Sequence, residues 1–317
     1  MHEPIRIFLT GATGFVGSHI VQALIRHGLK VRVGLRRATS VAQWPEGVAL
    51  AVVGDLGPKT VWNDALKGVD VVLHVAGVAA AGDDDVLQRV NVLGSVQLAE
   101  SAAAHGVKRF VFMSSLKVNG ESTQSGQLLN AQSPTHPQDA YAKSKLDAEQ
   151  ALRALAQAAC MNLVVIRPPL VYGPGVRGNF LALLKFVKRS MPLPLASVNN
   201  QRSLIAVQNL ADFSVRACVH PQAHGVYLVA DGAPISTPNL FRAIARSMGK
   251  PVRLWSFPVP WMKAFGQGLG VVGAVSKLTD DLVLDHRQAA QALDWIPPLT
   301  TSQGVDAAVA WYREEMC

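Results

Sequence analysis

Cysteine is scarce here, with Cys160, Cys218 and Cys317 the only three in 317 residues. An odd number, widely spaced, rules out a disulfide framework and shows no metal-ligand spacing. A reducing cytoplasm is therefore the expected compartment, and no metal is expected. Aromatics are only 6% of the chain and are not interleaved with its basic clusters, which are short: Arg36-Arg37, Lys108-Arg109 and residues 185–189. The net charge of +8 thus forms no stripe for nucleic acid, and no nucleic-acid partner is expected. The 185–189 cluster reads as a solvated face. No uninterrupted apolar run reaches membrane-spanning length. The nearest, residues 255–275, is broken by prolines, Lys263, Gln267 and glycines. No cleavage pattern follows the first apolar run, so no secretory leader is expected. Charged residues are only 16% against 49% hydrophobic, which excludes disorder and supplies a sizeable core. The length suits one large α/β domain with a smaller lobe, or two domains.

What is present begins with Thr10-Gly11-Ala12-Thr13-Gly14-Phe15-Val16-Gly17. It follows a short apolar run at residues 5–9, a buried parallel strand. It opens a helical pattern in which Val16, Ile20, Ala23, Leu24 and His27 share one face. Strand, glycine turn and helix form a mononucleotide-binding unit, in which glycines let a pyrophosphate approach the helix N-terminus. A turn that merely packs helix on strand gives the same glycines, so the rest of the chain must decide.

Residues 31–35 read as the second strand, ending at Arg36 and Arg37, where an adenosine ribose is expected. Sites that prefer NAD place an acid there, and Leu35 stands in its place. An arginine attracts a 2′-phosphate, so NADP(H) is favoured, with NAD(H) the alternative. Residues 48–53 are the third strand. Asp55 after it either accepts a hydrogen bond from adenine or caps a helix starting near Pro58. Residues 69–75 are the fourth strand, ending in His74-Val75-Ala76-Gly77, where small residues admit the cofactor. Residues 84–105 read as one long helix carrying Asn91, and residues 110–113 as the fifth strand. This alternation predicts a parallel, doubly wound sheet. Residues 121–139 read as a loop beside the site.

Ser114-Ser115 closes the fifth strand at the sheet edge where ligands bind. Tyr141 and Lys145 follow at helical spacing i, i+4. An ammonium beside the phenol is expected to lower its pKa from about 10, so that Tyr141 works as an acid or base.

With these residues in place, the chain resembles an extended short-chain dehydrogenase/reductase of the NAD-dependent epimerase/dehydratase family. The resemblance rests on Gly11/Gly14/Gly17, Asp55-Leu56, residues 74–77, Asn91, Ser114-Ser115, Tyr141/Lys145 and the run from Arg167 and Pro168 to Gly175. It implies that Tyr141 is the acid/base, that Lys145 supports it and binds the nicotinamide ribose, and that Ser115 bonds the reacting oxygen. It implies further cofactor contacts from Thr13, Phe15, Val16, Leu56, Ala76, Gly77, Asn91 and Pro168. Substrate contacts are implied for Lys117 and Asn119, and for Asn179 and Arg202 on the diphosphate of a nucleotide sugar. The closing Leu293-Asp294-Trp295 is similar to the family's Leu-Gly-Trp, a packing element.

Dehydratases of the family carry an Asp-Glu pair after the catalytic hydroxyl, and Leu116-Lys117 stand there instead. Dehydration is not expected. Residues 114–121 resemble UDP-4-keto-6-deoxy-N-acetylhexosamine C4 reductases of surface polysaccharide pathways, and related UDP-sugar 4-epimerases. The expected activity is C4 ketone reduction. The alternative is a 4-epimerase, acting on a UDP-sugar or a lipid-linked one. A cofactor-sensing regulator on this fold would lack Tyr141/Lys145. The expected architecture is a Rossmann domain over residues 1–170, with residues 205–229 returning to it. Residues 171–204 and 230–317 then form a smaller C-terminal α/β substrate lobe. Helices at 86–104 and 141–157 are expected to pair subunits in a homodimer. Residues 258–273 read as a buried helix, with a lid or a weak membrane-surface contact as alternatives.

Overall fold

The computed structural model describes residues 5–39, 43–79 and 83–316, so Cys317 lies outside the described residues. Short apolar runs make the strands. β1 (Arg6–Thr10) is followed by helix α1 (Phe15–Arg26), β2 (Lys30–Leu35) and β3 (Val48–Val52). A single turn, α2 (Asn63–Leu66), leads to β4 (Val71–His74). The expected long helix is observed in three parts: α3 (Asp84–Leu87), a π turn (Gln88–Leu93) and α4 (Gly94–Ala104). β5 (Arg109–Met113), α5 (Ala140–Ala158) and β6 (Asn162–Arg167) complete the first half. A parallel seven-stranded sheet results, in the order β3-β2-β1-β4-β5-β6-β9, with β9 at Gly225–Leu228. Strand order reverses between β1 and β4, which opens a crevice at their carboxyl ends.

Both sheet faces are covered, as a parallel sheet requires. Ile7 and Leu9 point to one layer, and Phe8 to the other. On the first face α1 packs against α7 (Val207–Val219), and on the second α4 packs against α5. His27 does not join the buried face of α1. It caps the helix C-terminus in solvent, and Val21 is buried instead.

β7 (Leu170–Tyr172) pairs with β8 (Leu204–Ala206) in a separate two-stranded sheet. Ile205 therefore lies outside the main sheet, to which α7 and β9 return. A second core forms around Tyr172, Phe180, Phe241, Ile244 and Val305. It joins β7 and β8 to α6 (Gly178–Lys188), α8 (Thr237–Met248) and α12 (Thr301–Met316). Leu293 and Trp295, at the end of α11 (Arg287–Leu293), pack on the main sheet's core. Asp294 between them takes a left-handed φ of 50°, which explains a glycine in the family pattern. Trp295 donates its indole N–H to Asp212 at 2.9 Å.

The helices α9 (Val259–Gly268) and α10 (Val272–Thr279) correct an expectation. Residues 258–273 are not a buried helix: Gly266 is the one buried residue of α9, and α10 has none. Among the described residues, no helix is long and apolar enough to cross a membrane.

Candidate active site

A cavity of about 1500 Å³ opens at the β1/β4 crevice. Its lining contains Gly11, Thr13, Gly14, Phe15, Val16, Gly17, Arg36, Asp55, Leu56, Ala76, Gly77, Ser115, Tyr141, Lys145 and Pro168. The structure thus brings together most of the residues singled out for cofactor and chemistry.

The glycines act on the backbone. A Cβ on Gly17 would lie 2.0 Å from the Gly11 carbonyl oxygen, and one on Gly11, at φ 77°, would lie 2.7 Å from the Ala76 nitrogen. The turn therefore presses α1 and the end of β4 together. No side chain caps the N-terminus of α1, and its first turn holds no acid. By contrast, Asp139 caps α5 and Ser236 caps α8. An uncapped helix start at a cavity suits a pyrophosphate. The indole nitrogen of Trp62, on the same lining, is buried with no partner among the described residues. These features fit a dinucleotide.

Asn91 lies behind the lining. Its amide accepts from the Val78 N–H at 2.9 Å and donates to the Val78 carbonyl at 2.9 Å and to Ser144 at 3.0 Å. It fixes the chain just past Gly77 rather than facing the cavity. The π turn that carries it is a common device where a helix must place one residue out of step.

His74 is fully buried, and burial, with the Lys145 charge, pushes its pKa down to about 3. Hydrogen-bond bookkeeping then assigns its tautomer. Ser95 spends its one hydrogen on the Asn91 carbonyl, so His74 Nε2 must carry the proton and Nδ1, 2.6 Å from Thr10 Oγ1, accepts the Thr10 hydrogen. Nε2–H then donates to Ser95 Oγ at 2.9 Å, and Ser95 donates to the Asn91 carbonyl at 2.6 Å.

The chemistry gathers at the ends of β5 and α5. Lys145 donates to the Met113 carbonyl at 2.9 Å, and its Nζ stands 4.7 Å from the centre of the Phe112 ring. Burial lowers its pKa to about 8, against the pull of Glu149. The Tyr141 phenol is raised, not lowered as expected. Burial dominates, and the cation opposing it is Lys117 rather than Lys145, with further help from a Ser115 hydrogen bond. Tyr141 therefore holds its proton, the state an acid catalyst needs.

Asp55 does not cap a helix. It pairs with Arg36 at 3.7 Å, both exposed. Lys59 and Arg89 line the same part of the cavity, and Arg89 Cγ is 3.9 Å from where a Gly57 Cβ would stand. Neither was visible as a candidate, because nothing local marks an exposed cation as facing a fold.

The four residues expected at the substrate stand outside this lining. Lys117 pairs with Glu121 at 2.6 Å and with Asp139 at 2.5 Å. Burial works against its charge, but those hydrogen bonds outweigh it and raise its pKa. The Asn119 amide is spent internally: it accepts from Arg167 at 3.0 Å and donates to the Ser133 and Pro134 carbonyls. Asn179 sits exposed in the first turn of α6. Arg202 is half-buried and donates to the Asp280 carbonyl at 3.0 Å. Burial lowers its pKa against the carboxylates of Asp280, Glu121 and Asp281.

Glu149 and Arg167 form a buried ion pair beneath the site, and Glu149 also accepts from Ser114. Glu149 was missed. Its spacing held the signal, since Tyr141, Lys145 and Glu149 stand at i, i+4 and i+8 on one helix face.

Comparison with known proteins adds to this geometry. Residues 7–230 match the model of the NAD dependent epimerase/dehydratase family. The chain is 39% identical to UDP-glucose 4-epimerase of Vibrio cholerae over 312 residues, 95% of this chain and 93% of that one. It is 32% identical to ceramide reductase of Caulobacter vibrioides, over 97% and 94% of the two chains. The crystal structure of Thermus thermophilus UDP-glucose 4-epimerase with NAD superposes with a TM-score of 0.79 at 24% identity. It covers 98% of this chain and 100% of that one.

Proposed function

The chain belongs to the NAD dependent epimerase/dehydratase family of extended short-chain dehydrogenase/reductase enzymes, and within it we propose an NADP(H)-dependent C4 ketone reductase. Its substrate is a UDP-4-keto-6-deoxy-N-acetylhexosamine destined for surface polysaccharide. The observation that carries this reading is Ser115 and Tyr141 together on the cavity lining, with the Lys117 charge acting on Tyr141 from outside it and no acid directly after Ser115 to remove water.

When bound, a reduced nicotinamide supplies hydride. Tyr141, protonated, gives its proton to the ketone oxygen, and Ser115 bonds the same oxygen. The phenolate left behind faces the Lys117 charge, which favours it until solvent returns the proton. Lys145, on the cavity lining, would take the nicotinamide ribose, and Asn179 and Arg202, beyond that lining, the sugar diphosphate. Arg36, Lys59 and Arg89 all line the cavity, and cations there would favour the 2′-phosphate of NADP(H) over NAD(H). The exposed sides of α4 and α5 would pair two copies.

The 39% likeness to a UDP-glucose 4-epimerase favours a second reading, a 4-epimerase that regenerates its cofactor within each turnover. One experiment separates the two. The reductase oxidises NADPH in the presence of a UDP-4-keto-6-deoxy-N-acetylhexosamine, with NADH the poorer donor, and Arg36→Asp reverses that preference. Protein that retains NAD, interconverts two UDP-N-acetylhexosamines and never consumes NADPH is the epimerase.

A further inference from the structure

Among the described residues, a cluster of exposed large apolar side chains lies far from the Rossmann crevice in sequence, on the helical pair α9 and α10. Trp261 is 61% exposed, Phe265 57% and Leu269 76%. Trp255, Val271 and Val272 are also exposed. They form one continuous face. Trp261 and Phe265 stand at i, i+4 with ring centres 6.2 Å apart. Phe257 lies 6.2 Å from Phe265 and 5.5 Å from Trp255. The turn from Leu269 to Val272 continues the face past the end of α9. Val259 and Met262, on the other side of α9, pack on the lobe's core, so the helix is anchored and its aromatic side is turned outward.

The segment that carries this face is of one sign of charge. Residues 232–279 contain no Asp or Glu, but hold Arg242, Arg246, Lys250, Arg253, Lys263 and Lys277. The segment Arg253–Trp255 pairs with the chain after α6: the Leu193 N–H donates to the Arg253 carbonyl at 2.9 Å, and the Trp255 N–H to the Leu193 carbonyl at 3.0 Å. That pairing brings the basic cluster 185–189, with Phe186 exposed, to the border of the same face. Outward tryptophan, phenylalanine and leucine rimmed by Lys and Arg is the composition of a surface that settles into the headgroup region of a bilayer.

We infer that the α9–α10 face docks this protein on an anionic lipid bilayer. Charge decides between occupants. A second copy of the same face would set a mainly basic rim, with Arg242, Arg246, Lys250 and Arg253 in it, against itself, while an anionic bilayer complements that rim. Docking also has a bearing on the site. Lys277 of α10 stands 3.9 Å from Glu121, the carboxylate that pairs with Lys117 beside Tyr141. Lys263 of α9 pairs at 2.7 Å with Asp280, whose carbonyl receives Arg202. The docked face is thus tied to the expected substrate residues and sets them close to the membrane surface. The inference does not depend on which carbonyl is reduced, and its test uses no substrate.

The intact protein is sedimented with vesicles of phosphatidylethanolamine and phosphatidylglycerol, and with phosphatidylcholine vesicles as the neutral case. The protein pellets with the anionic vesicles and much less with the neutral ones. Added salt releases it, and brominated acyl chains quench its tryptophan emission. Trp261→Ser with Phe265→Ser lowers partitioning by about tenfold or more, while NADPH binding and circular dichroism stay as in the parent. Lys250→Glu with Arg253→Glu weakens binding to the anionic vesicles alone. Folded protein that stays in the supernatant overturns the proposal. So does light scattering that shows the Trp261/Phe265 variant turning a dimer into a monomer without any vesicle binding, because the face is then a subunit contact.

Discussion

The two halves of the site are built on opposite principles. The cofactor half is made of backbone: three glycines, an uncapped helix start, and a neutral histidine locked between Thr10 and Ser95. The half expected to take substrate is made of long charged side chains that satisfy one another, with Lys117, Lys277 and Arg202 facing Glu121, Asp139, Asp280 and Asp281. The first is preformed and has nothing to rearrange. The second has its charges paired already, so a phosphate-bearing ligand must displace existing partners. Rigidity on one side and exchangeable ion pairs on the other suit an enzyme that holds one kind of cofactor and discriminates among substrates.

Substitutions can break this contrast at chosen points. At the boundary, Tyr141→Phe should lower turnover by about 10² to 10⁴, the worth of a positioned acid. NADPH affinity, followed by fluorescence, should be unchanged, since the cradle is backbone; full turnover in this variant would remove the assigned acid. Beneath the boundary, Glu149→Ala leaves Arg167 buried without its carboxylate. Chemical denaturation should show a loss of about 3–5 kcal/mol, the usual cost of breaking a buried pair. A loss under 1 kcal/mol would mean that Asn119 alone satisfies Arg167.

In the substrate half only, Arg202→Ala should raise KM for the nucleotide sugar by an amount equal to about 1.5–3 kcal/mol, with NADPH affinity unchanged. An unchanged KM would place the diphosphate elsewhere. In the cofactor half only, acid should act through His74. Its folded pKa of about 3 lies below the free value, so the unfolded chain binds a proton first as pH falls. Its contribution is complete above pH about 6.5 and shrinks below it, by about 2 kcal/mol at pH 5. Denaturation of the parent and of His74→Gln at pH 7 and pH 5 checks this. The difference between the two proteins should narrow in acid, and a difference independent of pH would show that His74 titrates in the fold as it does in the unfolded chain.

This contrast also explains what could be read from the chain. Gly11, Gly14 and Gly17, the strand ends at Ala76 and Ser115, and the Tyr141/Lys145 spacing are local patterns, and the cavity gathers all of them. The direction of the Tyr141 shift was misread because i, i+4 spacing gives neighbours but not burial. Lys145 turns toward Met113, and the cation that matters arrives from the turn after β5. Asn119 looked like a ligand contact because its partners, Arg167 and the carbonyls of residues 133 and 134, are remote in sequence. Residues 258–273 looked buried because apolar content alone does not say which side of a helix meets a core.

The pairing of Arg167 with Glu149 has a consequence for synthesis. The glycine turn and the strand end it presses against lie within the first 77 residues, and Tyr141 and Ser115 come next. Glu149, which holds Ser114, stays an uncompensated acid until the ribosome has delivered residue 167. A growing chain can thus lay out the glycine turn before the floor under its serines is set, and Ser114 gains its fixed partner only when β6 joins the sheet.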